Sequence, residues 1–342
     1  MHSGTKLVTL GAIAALLAAC SGTGSNSIPS TSSLSNSTRT PYRVQVGSEG
    51  RPMVMFYNFQ TERGGLVRGG MDPSDTVLHG VPGSSNELYT GTNQASTTGN
   101  MTYHGGPIQT APKIYVTFWG SAWNTTGDPN GEKTYYTNFI SGIGGSQWLS
   151  SVTQYTQSDG QHVGNASGSY AGSWVDTADA IPNLNTRSYQ SYLAAEAKKA
   201  AAHFGDYSTS ASYVLLLPHG VKVYQFAGNY YFSTAYCAWH SSTSTTSGTI
   251  SYTNFPYQSD AGASCGAGSV NSPGTNDGVS IVGGHEQAET ETDPQPNTGW
   301  LDSNNAENGD KCAWTGLQNT SFSTGTFPTQ PLWSNAVSGC VQ

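Results

Sequence analysis

The residues best suited to chemistry lie in one short stretch near the C-terminus. Positions 285–289 read His-Glu-Gln-Ala-Glu, an H-E-x-x-E pattern. Residues four apart share one face of a helix, so His285 and Glu289 would present an imidazole and a carboxylate to the same point. The two histidines of H-E-x-x-H bind zinc in this way, and zinc also accepts carboxylate oxygens. The spacing therefore predicts a metal site on a helix.

Glu286, next to the first ligand, sits where a metallopeptidase places its general base. It would take a proton from water on the cation, which lowers the pKa of that water to about 7. A third ligand must come from another part of the chain, and Glu307 and Asp310 are the candidates, with His240 as a further one. The histidine in the pattern favours zinc, with calcium as the alternative.

Two features of the same segment favour a metal. Gly283 and Gly284 lie inside the predicted helix, where each costs about 1 kcal/mol relative to alanine. This cost indicates close approach by another element or a ligand. Four acidic residues also crowd together in a chain with only 10% charged residues, namely Glu286, Glu289, Glu291 and Asp293. A cation would relieve their repulsion, although a plain helix with a solvated acidic face is the alternative interpretation.

Strands and helices must position this segment. Asn276 or Asp277 can cap the predicted helix that carries His285 and Glu289, and Pro294 would end it. Runs of β-branched and aromatic residues predict strands at 114–119 and 213–217. Apolar spacing predicts helices at 135–143, 146–155 and 186–204, and Gly205 would stop the last of them. Residues 241–248 are rich in Ser and Thr and predict a polar loop.

This order predicts an α/β fold, a layered mixed sheet flanked by helices with long Gly/Ser-rich loops. A zincin-like arrangement is one candidate within that class. Residues 103–342 would form the globular domain, and residues 41–102 an N-terminal extension whose role as a pro-segment stays open.

The N-terminus predicts export. Residues 1–19 have a short basic start and an apolar stretch too short to span a bilayer, as in a signal peptide. Leu-Ala-Ala-Cys at 17–20 resembles a lipobox, which implies cleavage before Cys20 and lipidation of its thiol. An ordinary signal peptide with a chance cysteine is the alternative. Residues 20–40 are mostly Ser, Thr, Asn and Gly and predict a flexible tether.

The remaining cysteines fit an oxidising compartment. Four of them allow three pairings, of which we favour the two local pairs, Cys237–Cys265 and Cys312–Cys340. A four-cysteine metal site is disfavoured because there is no C-x-x-C pair. The net charge of -8 argues against a nucleic-acid partner. We therefore expect an extracytoplasmic lipoprotein held at the outer membrane or cell surface by its lipid.

An ordered set of short motifs runs through residues 103–342. They are Tyr-His-Gly-Gly-Pro at 103–107, Trp-Gly at 119–120, Gln-Trp-Leu at 147–149, Ser-Tyr at 169–170, the 236–240 segment, Cys265, Asn-Asp-Gly at 276–278, Asp-Pro at 293–294 and Gly-Trp at 299–300. Together they resemble the phosphate-induced protein 1 / exordium family. The resemblance implies an extracellular protein without an agreed activity or settled catalytic residues.

This chain departs from the plant pattern of that family, which lacks the H-E-x-x-E residues. The bacterial members that carry such a segment resemble a zinc-dependent peptidase. Our main hypothesis is therefore a lipid-anchored zinc hydrolase acting on a peptide or related bond, with His240, His219 and Trp300 lining the substrate site. The rival is a non-catalytic module that binds glycan or protein, with a structural or calcium-binding acidic helix, since Tyr and Trp rings suit sugar stacking.

Overall fold

The computed structural model describes residues 61–62, 65–66, 99–186, 188–223, 232–233 and 236–342. The predicted signal peptide, the lipid-accepting Cys20, the tether and nearly all of the 41–102 extension lie outside the described residues and stay predictions. Within the described part of the chain, no helix combines the length and the apolar composition that a bilayer crossing requires.

Thirteen strands and three α-helices lie within the described residues. The strands are β1 (Thr61–Glu62), β2 (Gly65–Leu66), β3 (Thr102–Tyr103), β4 (Lys113–Trp119), β5 (Tyr170–Asp176), β6 (Ala211–Leu216), β7 (Trp239–Thr245), β8 (Gly248–Phe255), β9 (Trp300–Leu301), β10 (Gln318–Phe322), β11 (Gly325–Thr329), β12 (Leu332–Ser334) and β13 (Gly339–Val341). The α-helices are α1 (Glu132–Ile143), α2 (Tyr189–Phe204) and α3 (Asp277–Thr292).

A five-stranded sheet forms the centre, in the order β5-β4-β6-β8-β7. Neighbouring strands run parallel from β5 to β8, whereas β7 pairs antiparallel with β8 at the edge. The interior strand β6 is buried throughout, and β4 is buried at every residue except Lys113. Such strands are covered on both faces, which explains their continuous apolar and aromatic runs. The predicted α/β class with a mixed sheet is confirmed, and the likeness to zincins stays a prediction.

Alternate residues of the central strands enter two separate cores. Val116 and Val214 face a cluster that includes residues of α1 and α3. Tyr115 and Tyr213 face a second cluster that includes the apolar stripe of α2. This alternation follows from the two-residue period of a strand. It places α1 and α3 on one side of the sheet and α2 on the other.

Most predicted elements are confirmed near their predicted bounds. Helix α2 ends at Gly205, whose φ of 72° is the left-handed conformation expected of a glycine stop. The segment predicted as a helix at 146–155 contains a 3-10 helix, Leu149–Gln154.

The predicted polar loop at 241–248 is wrong, because most of it belongs to the hairpin of β7 and β8. Ser241 and Thr243 are buried in β7, where pairing with β8 satisfies backbone groups that water would otherwise solvate. A strand rich in Ser and Thr has no apolar alternation to reveal it. The correction matters for function because β7 carries His240.

Both predicted disulfides are confirmed. Cys237 pairs with Cys265, and Cys312 pairs with Cys340. Disulfides persist in oxidising compartments, so they indicate an extracytoplasmic protein.

Glu196 of α2 generates a pH-dependent prediction. Burial first, and then the neighbouring Asp176, raises the pKa of Glu196 to about 8. Asp176 is engaged by Lys199, whose Nζ lies 2.6 Å from its Oδ2. A carboxyl whose folded pKa exceeds its unfolded pKa stabilises the fold most at low pH, and this contribution is lost as the pH rises to about 8.

We therefore expect Glu196→Gln to flatten the pH dependence of the free energy of unfolding between about pH 5 and pH 9. Urea unfolding at each pH gives this free energy. The wild type should lose stability relative to the variant as the pH rises. Lys198→Gln is the control, because Lys198 is exposed on the same helix and is not among the groups that shift the pKa of Glu196, so its change should leave the wild-type slope. Parallel curves for wild type and Glu196→Gln would contradict the assignment.

Candidate metal centre

Helix α3 is buried along its whole length, from Asp277 to Thr292. The alternative interpretation as a helix with a solvated acidic face is therefore wrong. A buried charged side chain needs a partner or a cation, because desolvation of an isolated charge is costly. The acidic residues of α3 must accordingly be explained by what surrounds them.

The two glycines of α3 allow aromatic rings to pack directly on its backbone. A Cβ on Gly283 would lie 2.7 Å from Cε2 of Tyr136, and one on Gly284 would lie 3.0 Å from Cη2 of Trp148. The predicted close approach is confirmed. The approaching groups are the aromatic rings of Tyr136, in α1, and of Trp148, which precedes the 3-10 helix Leu149–Gln154. These contacts fix the position of α3 against the first core.

The predicted side-chain capping of α3 is wrong. Asn276 occupies the N-cap position without a capping bond, and its Nδ2 donates to the carbonyl of Asn130. Asp277 instead accepts the backbone N–H groups of Val270 and Asn271. Both side chains therefore anchor neighbouring segments onto the start of the helix.

His285 and Glu289 lie on one face of α3, as the four-residue spacing requires. His285 Nε2 is 2.8 Å from Glu289 Oε1 and 3.6 Å from Asp310 Oδ1. The backbone N–H of Asp310 also donates to Glu289 Oε1. An imidazole and two carboxylates from separate segments thus converge on one point.

His240 of β7 approaches the same helix from the edge of the sheet. Its Nδ1 is 3.4 Å from Glu286 Oε2 and 3.8 Å from Glu289 Oε2. Its Nε2 is 3.7 Å from Glu307 Oε1 and 3.2 Å from the carbonyl oxygen of Asp293. The antiparallel edge strand therefore adds a second imidazole to the acidic cluster.

Two overlapping groups have ligand atoms close enough to hold a metal ion. One contains His285, Glu286 and Glu289, the other contains His240, Glu289 and Glu307, and the ligand atoms of each group lie within 4.8 Å of one another. Glu289 belongs to both. All five side chains are buried, with relative exposures of 0 to 1%. These buried His and Glu groups could hold a metal ion, and the arrangement alone leaves its identity open.

Several carboxylate oxygens of the cluster have no hydrogen-bond partner within the described part of the chain. They are both oxygens of Glu286, both oxygens of Glu307 and Oε2 of Glu289. Buried polar groups are normally satisfied, and buried carboxylates are normally paired or bound to a cation. These buried oxygens, which have no donor among the described residues, are the strongest indication that a ligand belongs here.

The pKa values in the cluster show that burial disfavours the charged forms of its carboxylates. Burial and the Glu289 charge raise the pKa values of Glu286 and Glu307 well above the usual range. Burial also raises the pKa of Glu289 to about 7, against the opposing effect of His285. Burial lowers the pKa of His240 to about 3, so its imidazole is neutral and fit to be a metal ligand. For His285, burial is outweighed by Glu289 and Asp310, and the pKa rises well above 6.5.

The loop that carries Glu307 and Asp310 is held at several points. Asn308 Nδ2 donates to the Ala288 carbonyl at 3.0 Å and to Thr292 Oγ1 at 2.7 Å. Lys311 Nζ forms a buried ion pair with Asp302 Oδ2 at 2.9 Å. The Cys312–Cys340 disulfide closes the C-terminal end of the loop. These bonds dock the loop onto α3.

Two candidates from the sequence make their contacts elsewhere. His219 has a side chain 51% exposed, and its Nδ1 lies 2.5 Å from Asp260 Oδ1. Trp300 is half-buried, with Nε1 donating to the Thr156 carbonyl and its ring packed on Tyr155. Nothing in these contacts assigns either residue to the cluster.

Sequence reasoning counted Asp293 among the crowded acidic residues and missed its structural role. The Asp293 carboxylate accepts the N–H groups of Asn297, Thr298 and Gly299, while its carbonyl faces His240. An Asp followed by Pro is a recognisable turn signal, and it could have indicated this role.

Comparison of the chain with family models, characterised proteins and solved structures gives no match. The resemblance to the phosphate-induced protein 1 / exordium family therefore stays a prediction, and the centre must be judged on its own geometry.

Gly309 gives a direct test of the packing around the centre. A Cβ at this position would lie 2.8 Å from His285 Nδ1 and 2.9 Å from Glu289 Oε1. Its φ of -73° suits any residue, so alanine would act by this collision and not by backbone strain.

We expect Gly309→Ala to weaken zinc binding by about tenfold or more, which is at least about 1.4 kcal/mol. Competition with a chromogenic chelator measures the affinity. Gly339→Ala is the matched control, because its Cβ would meet only the Val337 carbonyl at 3.8 Å. Equal affinities for the two variants would show that the Gly309 backbone does not shape the site.

Proposed function

We propose that this protein is an exported, zinc-dependent hydrolase that cleaves a peptide or related bond. The observation that carries the proposal is the convergence of His285 with Glu289 and Asp310, with Glu286 on the same helix. Zinc binds both imidazole nitrogen and carboxylate oxygen, and this site offers one imidazole and two carboxylates. Calcium is less suited, because it prefers an all-oxygen shell.

Asp310 is the better third ligand for the ion at His285. Asp310 Oδ1 lies 3.6 Å from His285 Nε2, whereas Glu307 Oε1 lies 3.7 Å from His240 Nε2. The Asp310 side chain is 14% exposed, while His285 and Glu289 are fully buried. A substrate would therefore approach from the Asp310 side.

The reaction that suits these residues is hydrolysis assisted by a general base. A bound cation would supply the Lewis acidity that makes a water molecule acidic. Glu286 would accept a proton from a water molecule while the oxygen of that water forms a bond to the carbonyl carbon of the substrate. The C–N bond then breaks, and the proton held by Glu286 passes to the leaving amine nitrogen. Bonds and protons balance without any further reactant.

We further propose that the protein is anchored at the outer membrane or cell surface through a lipid on Cys20. The support is the lipobox-like Leu-Ala-Ala-Cys at 17–20, together with the disulfides of the folded domain. The Ser-rich stretch after Cys20 would separate the catalytic domain from the lipid.

The variant Glu286→Gln tests the catalytic role. It removes the base and retains the side-chain shape, so turnover of a casein-type substrate should fall by about 10²-fold or more. Zinc content, measured by elemental analysis, should stay at the wild-type level. Glu291→Gln is the control on the same helix, where Glu291 accepts a bond from Gln287 Nε2 at 3.0 Å.

Two results would contradict the hydrolase proposal. Undiminished turnover in Glu286→Gln would remove the proposed base, and wild-type protein without zinc would remove the metal. Either result would favour the non-catalytic module that binds glycan or protein.

A further inference from the structure

The two oxygens of Glu289 face two different histidines. Oε1 lies 2.8 Å from His285 Nε2, and Oε2 lies 3.8 Å from His240 Nδ1. A carboxylate that presents one oxygen to each of two ligand sets has the geometry of a bridge. The single ion of the proposed function uses only the His285 side of this arrangement.

The His240 side has a set of donors that shares only Glu289 with the His285 side. His240, Glu289 and Glu307 form one of the two groups with metal-ligand spacing. Both oxygens of Glu307 are buried and have no hydrogen-bond partner in the described part of the chain. The buried Glu307 carboxylate therefore indicates a bound cation other than the one proposed at His285.

The contact with Asp293 prepares His240 for a metal. Its Nε2 lies 3.2 Å from the Asp293 carbonyl oxygen and 3.7 Å from Glu307 Oε1, so a cation on Nε2 would have two oxygens beside it as further ligands. Metal-binding histidines commonly donate their other N–H to a carboxylate. Nδ1 would carry that proton, and it faces the carboxylates of Glu286 and Glu289.

Charge balance supports a second cation. Four carboxylates surround the two imidazoles in the described structure, those of Glu286, Glu289, Glu307 and Asp310. One divalent cation neutralises two of the four charges and leaves the remainder buried at high cost. Lys311 on the same loop forms an ion pair with Asp302. Two divalent cations would neutralise all four carboxylates.

We propose that the cluster holds two divalent cations bridged by Glu289, one with His285 and Asp310, the other with His240 and Glu307. Glu286 lies beside both groups and keeps its role as the general base. Paired metal sites of this kind have ions about 3.5–4 Å apart and occur in hydrolases that include aminopeptidases. The proposal rests on the proposed function for the first ion and adds the second.

Metal stoichiometry tests the second ion directly. Full-length protein is equilibrated with zinc, freed of excess and analysed for metal per chain. We expect two zinc ions in the wild type and in Glu291→Gln, and one in Glu307→Gln. His285→Ala identifies the other ion, and it should also lower the content. One zinc per chain in the wild type, unchanged by Glu307→Gln, would overturn the second site.

A measurement on the wild type alone guards against misfolded variants. Protein loaded with Mn²⁺ should give the electron paramagnetic resonance spectrum of a magnetically coupled pair, because a carboxylate bridge joins the ions. The six-line spectrum of an isolated Mn²⁺ at full loading would overturn the proposal. The two failures are distinguishable: no metal at all defeats the hydrolase as well, whereas one uncoupled metal that His285→Ala removes defeats only the second ion.

Discussion

The burial of carboxylate oxygens that have no hydrogen-bond donor in the described part of the chain is the constraint on which this structure depends. Glu286, Glu289 and Glu307 are at most 1% exposed, and burial raises their pKa values. A protein interior tolerates such groups when they are protonated, paired or bound to a cation. Two imidazoles at ligand distance make cation binding the coherent solution. The metal would then stabilise the folded chain as well as serve catalysis, since its binding energy adds to folding.

The surrounding fold brings three distant segments to this point. Helix α3 approaches the aromatic rings of the first core because Gly283 and Gly284 have no side chains to obstruct it. The edge strand β7 carries His240, and the loop after β9 carries Glu307 and Asp310. Asn308 fixes that loop against the helix, and the Cys312–Cys340 disulfide joins its end to β13. Each device is structural in itself, and together they make the geometry of the centre rigid.

Local patterns in the sequence predict the parts of this centre that are local in space. The pairing of His285 with Glu289 follows from helical spacing alone, and the cost of two glycines correctly indicates close packing. The partner of those glycines was beyond sequence reasoning, because ring packing is a tertiary contact. His240 was only one of several candidates, since the Ser- and Thr-rich β7 has no apolar alternation. The choice between Glu307 and Asp310 also required the structure, because loop geometry sets which carboxylate reaches which histidine.

Anomalous diffraction at the zinc edge, from crystals grown with zinc, tests the central claim most directly. The account predicts a strong peak about 2.0–2.2 Å from His285 Nε2 and from a Glu289 oxygen, with the loop carboxylates turned toward it. A cluster without any peak, or peaks confined to exposed acidic side chains, would contradict it, and the buried carboxylates would then have to be held neutral by protons.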